Sequence, residues 1–104
     1  MELARAVYKL TVRFPSSERF GLTDQLRRAS VSVVSNIAEG YGRSTRGEYV
    51  QFLGHARGSN CELLTQLMLA RDLEMGSGSE INRAIQLSNQ VGRMLVALIN
   101  KLRK

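Results

Sequence analysis

The chain has 104 residues, room for one domain with one core, and 43% of them are apolar, too many for a disordered segment. No apolar run approaches the roughly 20 residues of a membrane span. The longest is "MLVALI" at 94–99, and the single cysteine, Cys61, excludes an internal disulfide. Fifteen Lys and Arg against nine Asp and Glu give a formal charge of +6, a surplus that favours polyanionic partners.

The start, "MELARAVYKL", lacks the cationic lead and apolar block of a signal peptide, so a cytoplasmic protein with no membrane partner is expected. Charge is shared evenly along the chain: residues 1–52 hold eight basic and five acidic groups, residues 53–104 seven and four. Beyond Glu80, however, no acid follows.

Each long segment repeats its apolar residues at the helical period, and none alternates as a strand would. Leu3, Val7, Leu10 and Phe14 share one face of a first helix, with Arg5, Lys9 and Arg13 striped on another. Pro15 disfavours helix at Phe14, and "PSSERFGL" is a connector. Thr23 suits the N-cap of a second helix, whose core face is Leu26, Ala29, Val33 and Ile37. Its many small residues would admit a close neighbour, and Gly40 and Gly42 are expected to stop it.

"TRGE" at 45–48 is a capping box opening a third helix that runs to about Leu73. Gly54 and Gly58 lie inside it, each costing roughly 1 kcal/mol relative to alanine. Tight packing against the small face of helix two would account for them, with Cys61 in the same stripe. Ser77 and Glu80 form a second capping box for a fourth helix, with Ile81, Ile85, Val91, Leu95, Leu98 and Leu102 facing inward. Residues 1–104 therefore read as one all-α domain, an antiparallel up-down four-helix bundle. Small size and wide apolar faces favour self-association.

"AEGYGRSTRGEYVQF" (38–52) imitates a phosphate loop, with Gly42 and Gly47 five apart. The next two residues of that motif are Lys and then Ser or Thr. Here they are Glu48 and Tyr49, and a helix rather than a strand precedes them. The dinucleotide fingerprint fails too, with Thr45 at its third glycine. His55 and Cys61, six residues apart on a helix, face different ways, and a thiol–imidazole pair needs hydrogen-bond reach. One His and one Cys do not make a metal cluster. Glu39, Glu48 and Glu62 remain as carboxylates that helices two and three can bring together. No catalytic residue, cofactor or metal is assigned, and an enzyme is not expected.

Binding is the function left. The arginine sets are Arg5–Lys9–Arg13 (with Lys9 between), Arg27–Arg28 and Arg43–Arg46. Guanidinium groups suit phosphate backbones because they donate two parallel hydrogen bonds. No aromatic RNA-recognition motif accompanies them, so contact would be to phosphate, salt-sensitive and weak in sequence preference. Docking of an acidic protein and simple solubility remain as alternatives.

"LTDQLRRASVSVVSNIAEGYGRSTRGEYVQFL" (22–53) with "GSNCELLTQLMLARDL" (58–73) resembles a bacterial four-helix-bundle family. That family comprises proteins encoded in intervening sequences of 23S ribosomal RNA genes. It also includes the accessory variability determinant of diversity-generating retroelements. The resemblance spans nearly the whole chain. It implies a homopentameric barrel with a basic outer surface and, for the retroelement branch, RNA or DNA and a reverse transcriptase as partners. The matching positions are Gln25, Arg27, Arg28, Asn36, Glu39, Gly40, Tyr41, Gly42 and Arg43; Asn36 and Glu39 would bond across helices or subunits. Asn60 departs from the small apolar residues usual between Ser59 and Glu62.

Overall fold

Thr11 ends the first helix three residues before the hydrophobic pattern does. In the computed structural model, which describes residues 1–18 and 20–104, α1 spans Glu2–Thr11. The Thr11 hydroxyl donates back to the Val7 carbonyl at 2.8 Å and lies 3.1 Å from that of Tyr8, a local bond that competes with helix propagation. Phe14 still turns inward and is buried. Arg13 lies past the helix end. Arg19, inside the connector, lies outside the described residues.

The second helix, α2, spans Leu22–Tyr41 and has no side-chain N-cap. Thr23 is buried rather than capping. Glu18, in a 3-10 turn at Ser16–Glu18, accepts from the Leu22 NH at 3.3 Å in its place. Gly40 does not stop α2 but lies within its last turn, and Gly42 is the C-cap. A Cβ at Gly40 would lie 2.9 Å from the Phe52 Cβ and 3.3 Å from the Tyr49 carbonyl oxygen. Glycine is there for close helix contact.

Helix α3 spans Arg46–Asp72, and Thr45 caps it by accepting from the Glu48 NH at 3.2 Å. The Thr45 hydroxyl also donates to the Glu48 carboxylate at 3.0 Å. Helix α4 spans Gly78–Arg103 from the Ser77 cap, whose hydroxyl accepts from the Glu80 NH at 3.4 Å. Between α3 and α4 the chain turns through Gly76, at φ +62°, where a Cβ would also press on the Phe14 ring at 3.1 Å.

Packing follows from unequal helix lengths. At 1.5 Å per residue α1 is about 15 Å long and α3 about 40 Å, so α1 covers only one end of a body measuring 44 × 22 × 18 Å. At that end Val7, Leu10, Leu26, Leu63, Leu67 and Ile81 form a four-helix core. At the other, Leu53, Ala56, Leu95 and Ile99 form a smaller core between α3 and α4, with Ile37 of α2 against it. Along α2 and α3, Gln25 meets Gln66, Ser32 meets Ser59 and Gly40 meets Phe52. No strand occurs among the described residues, and no helix is long and apolar enough to cross a membrane.

Gly54 and Gly58 do not pack against α2: a Cβ at either position would meet nothing within 4 Å. Alanine at each should therefore raise the unfolding free energy by roughly 1 kcal/mol through helix propensity alone. The measurement is a urea midpoint at fixed protein concentration, and a lowered midpoint for either variant would contradict the open surroundings.

Candidate nucleic-acid interface

The seven cations expected to meet nucleic acid divide into two groups. Arg13, Arg28 and Arg43 already face carboxylates. Arg13 pairs with Glu80 at 3.1 Å and Arg28 with Asp24 at 2.8 Å, one turn earlier. Arg43 pairs with Glu39 at 2.7 Å and lies 3.8 Å from Glu48. Exposed pairs of this kind add little stability, about 0–1 kcal/mol, but they neutralise the charge a phosphate would seek.

Arg5, Lys9, Arg27 and Arg46 have no such partner among the described residues. Arg5 and Lys9 flank a cleft of about 330 Å³ between α1 and α4, bounded by the ion pair of Glu2 with Arg83 at 2.9 Å. Arg27 is held in place: its Nε donates to the Thr11 hydroxyl at 2.9 Å, and its guanidinium lies 4.8 Å from the Tyr8 ring centroid. It borders a hollow lined also by Tyr8, Asp24, Arg28, Val31 and Ser32. Arg46 reaches only the Lys104 carbonyl, at 3.4 Å.

The signature residues build a corner. Asn36 donates to the Ser32 carbonyl at 2.8 Å within α2, not across helices; the cross-helix bond is the neighbouring Ser32–Ser59 hydroxyl pair at 2.7 Å. Glu39 holds Arg43, whose guanidinium also lies 4.7 Å from the Phe52 ring. Tyr41 meets Tyr49 edge-on at 6.4 Å. The stretch at 38–52 thus clasps α2 to α3 through charge, aromatic edges and the Gly40 contact.

His55 is exposed and stands edge-on to Phe52 at 5.8 Å. Cys61 is exposed as well, not part of a buried small-residue stripe. Glu39 and Glu48 share Arg43, whereas Glu62 bonds Gln66 at 3.1 Å, so the three carboxylates do not converge. Among the described residues no three His, Cys, Asp or Glu side chains group as metal ligands.

Asn60, the departure from the small apolar pattern, is buried and pairs with α4. Its amide donates to the Ser88 carbonyl at 2.9 Å, and its oxygen accepts from the Ser88 hydroxyl at 2.9 Å. Gly92 leaves space for it: a Cβ there would lie 3.2 Å from the Asn60 Nδ2.

One feature of the surface escaped the sequence reading. The fold brings residues 38–58 together with residues 92–104 at the three-helix end. Those segments hold seven Lys and Arg and two Glu, while the rest of the chain holds eight and seven. Nearly all of the net charge belongs to one end. Both glutamates there, Glu39 and Glu48, face Arg43. Arg57, Arg93, Lys101, Arg103 and Lys104 therefore carry charge that no described carboxylate balances. Spacing hid this, because the two segments lie more than thirty residues apart.

The model of the family described as 23S rRNA-intervening sequence protein matches residues 1–97. The chain belongs to that family. A crystal structure from Bacteroides thetaiotaomicron, described as a protein of unknown function from the S23 ribosomal protein family, has the same fold. It superposes with a TM-score of 0.83 at 22% identity, over 94% of this chain and 92% of that one. Among curated proteins none matches in sequence. This member of the intervening-sequence protein family forms four α-helices and no strand among its described residues, with a basic end that includes the C-terminal turns of α4.

Proposed function

We propose that the chain is a non-enzymatic accessory protein that binds RNA or DNA by its phosphate backbone, acting as a homo-oligomer in the cytoplasm. One observation carries this reading. Of fifteen cations, only Arg13, Arg28, Arg43 and Arg83 face carboxylates among the described residues. The remaining described cations point charge outward without a partner acid. Solubility alone is a poor reason for that, because added acids serve it better than added bases. The family's name, tied to ribosomal RNA, agrees with a polyanionic partner.

An antiparallel up-down protomer assembling as a homopentamer is part of the same proposal. The order in which α2 residues meet α3 residues supports the first element. The second draws support from the three-helix end, where α1 is missing. There Met1, Val34, Ile37, Tyr41 and Tyr49 line an apolar furrow of about 370 Å³, and Leu73 and Met94 are exposed elsewhere on the surface. A relation to the retroelement accessory determinant would add a reverse transcriptase as a protein partner.

Titration of labelled RNA and DNA at increasing salt tests the binding. Affinity should fall steeply as salt rises, by counterion release. Absence of binding at low salt, or binding indifferent to salt, would remove the electrostatic mechanism. Sedimentation should show a species several times the mass of one chain; monomers at micromolar concentration would count against assembly.

A further inference from the structure

The unbalanced arginines of the basic end are not scattered. Arg57 and Arg103 line a hollow of about 280 Å³ between α3 and α4. Arg57 and Arg93 line an adjoining one of about 270 Å³. The two share Arg57 and Cys61, so they form one furrow along the α3–α4 seam. Arg93 and Arg103 are ten residues apart on α4, about 15 Å along its axis, and Arg57 of α3 borders both hollows. Gly54 and Gly58 keep part of the α3 wall free of side chains, and a Cβ at either position would meet nothing within 4 Å. None of the three arginines has a hydrogen-bonded or ion-paired partner among the described residues.

Charge and shape together select an occupant. Three guanidinium groups along a furrow match an anion that repeats along its length, and each can take a phosphate oxygen pair bidentately. Packed helices lie only about 8–10 Å apart, so the furrow between them is too narrow for a duplex to enter. No aromatic residue lines it, which removes both base stacking and the aromatic anchors around which protein interfaces are usually built. We propose that the α3–α4 furrow holds the sugar–phosphate backbone of a single nucleic-acid strand, with Arg57, Arg93 and Arg103 on its phosphates and the bases facing outward. This rests on the nucleic-acid reading above, but it moves the principal contact away from the α1–α2 arginines to a surface assembled only by the fold.

Cys61, exposed and shared by both hollows, supplies the probe. The full-length protein is mixed with a labelled single-stranded oligonucleotide of mixed sequence, with its duplex, or with polyglutamate. Binding is followed by anisotropy across a salt series, and Cys61 by its rate of alkylation with neutral iodoacetamide. The single strand should slow alkylation several-fold. The variant Arg57→Gln/Arg93→Gln/Arg103→Gln should lose about two units of the log–log salt slope, from about 0.7 per phosphate contact on a single strand. Arg5→Gln/Lys9→Gln/Arg27→Gln should lose less.

Tight strand binding with Cys61 unprotected and the slope unchanged would overturn the furrow while leaving nucleic-acid binding intact. Protection by the duplex alone, or by polyglutamate alone, would overturn the single-strand assignment in favour of that ligand. If the wild-type protein binds no nucleic acid at low salt, the broader reading fails and the furrow proposal with it. The protection arm uses unmutated protein, so a misfolded variant does not decide the result.

Discussion

Asn60→Ala should be among the most damaging single changes in this chain, lowering stability by about 3 kcal/mol. Asn60 is 4% exposed and the Ser88 hydroxyl is fully buried, so neither has water to fall back on. The truncation removes two hydrogen bonds of 2.9 Å and leaves the Ser88 hydroxyl with no acceptor on α3. An unsatisfied buried polar group costs roughly 1–3 kcal/mol, and the space left beside Gly92 adds to it. Removing both partners should cost less than the two single losses together. Urea unfolding of Asn60→Ala, Ser88→Ala and the double variant, at one protein concentration, gives the coupling directly. Additive single effects would mean that the pair contributes nothing as a pair.

Gly40→Val should destabilise by a similar amount for the opposite reason, too much atom rather than too little. The Cβ position is already 2.9 Å from the Phe52 Cβ, 3.1 Å from the Tyr49 ring and 3.3 Å from the Tyr49 carbonyl oxygen. Two of those atoms belong to, or are attached directly to, the α3 backbone and cannot swing aside. The helices must separate, at a cost of roughly 1–3 kcal/mol or more for overpacking. Each kcal/mol shifts the midpoint of a domain this size by roughly 4–8 °C. Gly54→Val is the matched control, since nothing lies within 4 Å of that position; it should unfold near the wild-type temperature. Equal losses at the two sites would show that close contact with α3 does not set the effect.

These opposite expectations for two glycines mark how far the sequence could be read. In both cases a glycine inside a helix announces a local cost of about 1 kcal/mol. What repays that cost is a neighbour from another part of the chain. Gly40 was expected to end α2 and instead admits α3; Gly54 and Gly58 were expected to admit α2 and instead border an open furrow. Asn60 is similar: its polarity is visible in the sequence, but its partner twenty-eight residues later is not.

The corner at 38–52 shows the same division within one stretch. Its Thr45–Glu48 cap was legible because it spans three residues of one chain segment and depends on local geometry alone. The Glu39–Arg43 pair is equally local, being one helical turn apart. That Phe52 would complete the clasp beneath Arg43 required the α2–α3 packing to be known.

What the amino-acid order determined by itself was everything carried by short-range rules. Those rules are the helical period of the apolar residues, the caps at Thr45 and Ser77, the failure of the phosphate-loop motif at Glu48, and the total charge of +6. What only the tertiary structure decided was where that charge resides. Residues 1–52 and 53–104 share it evenly along the chain. Burial of Leu53, Ala56, Leu95 and Ile99 in one core brings the start of α3 against the end of α4. That apolar contact, which involves no charged group, is what sets Arg57, Arg93 and Arg103 along a common seam.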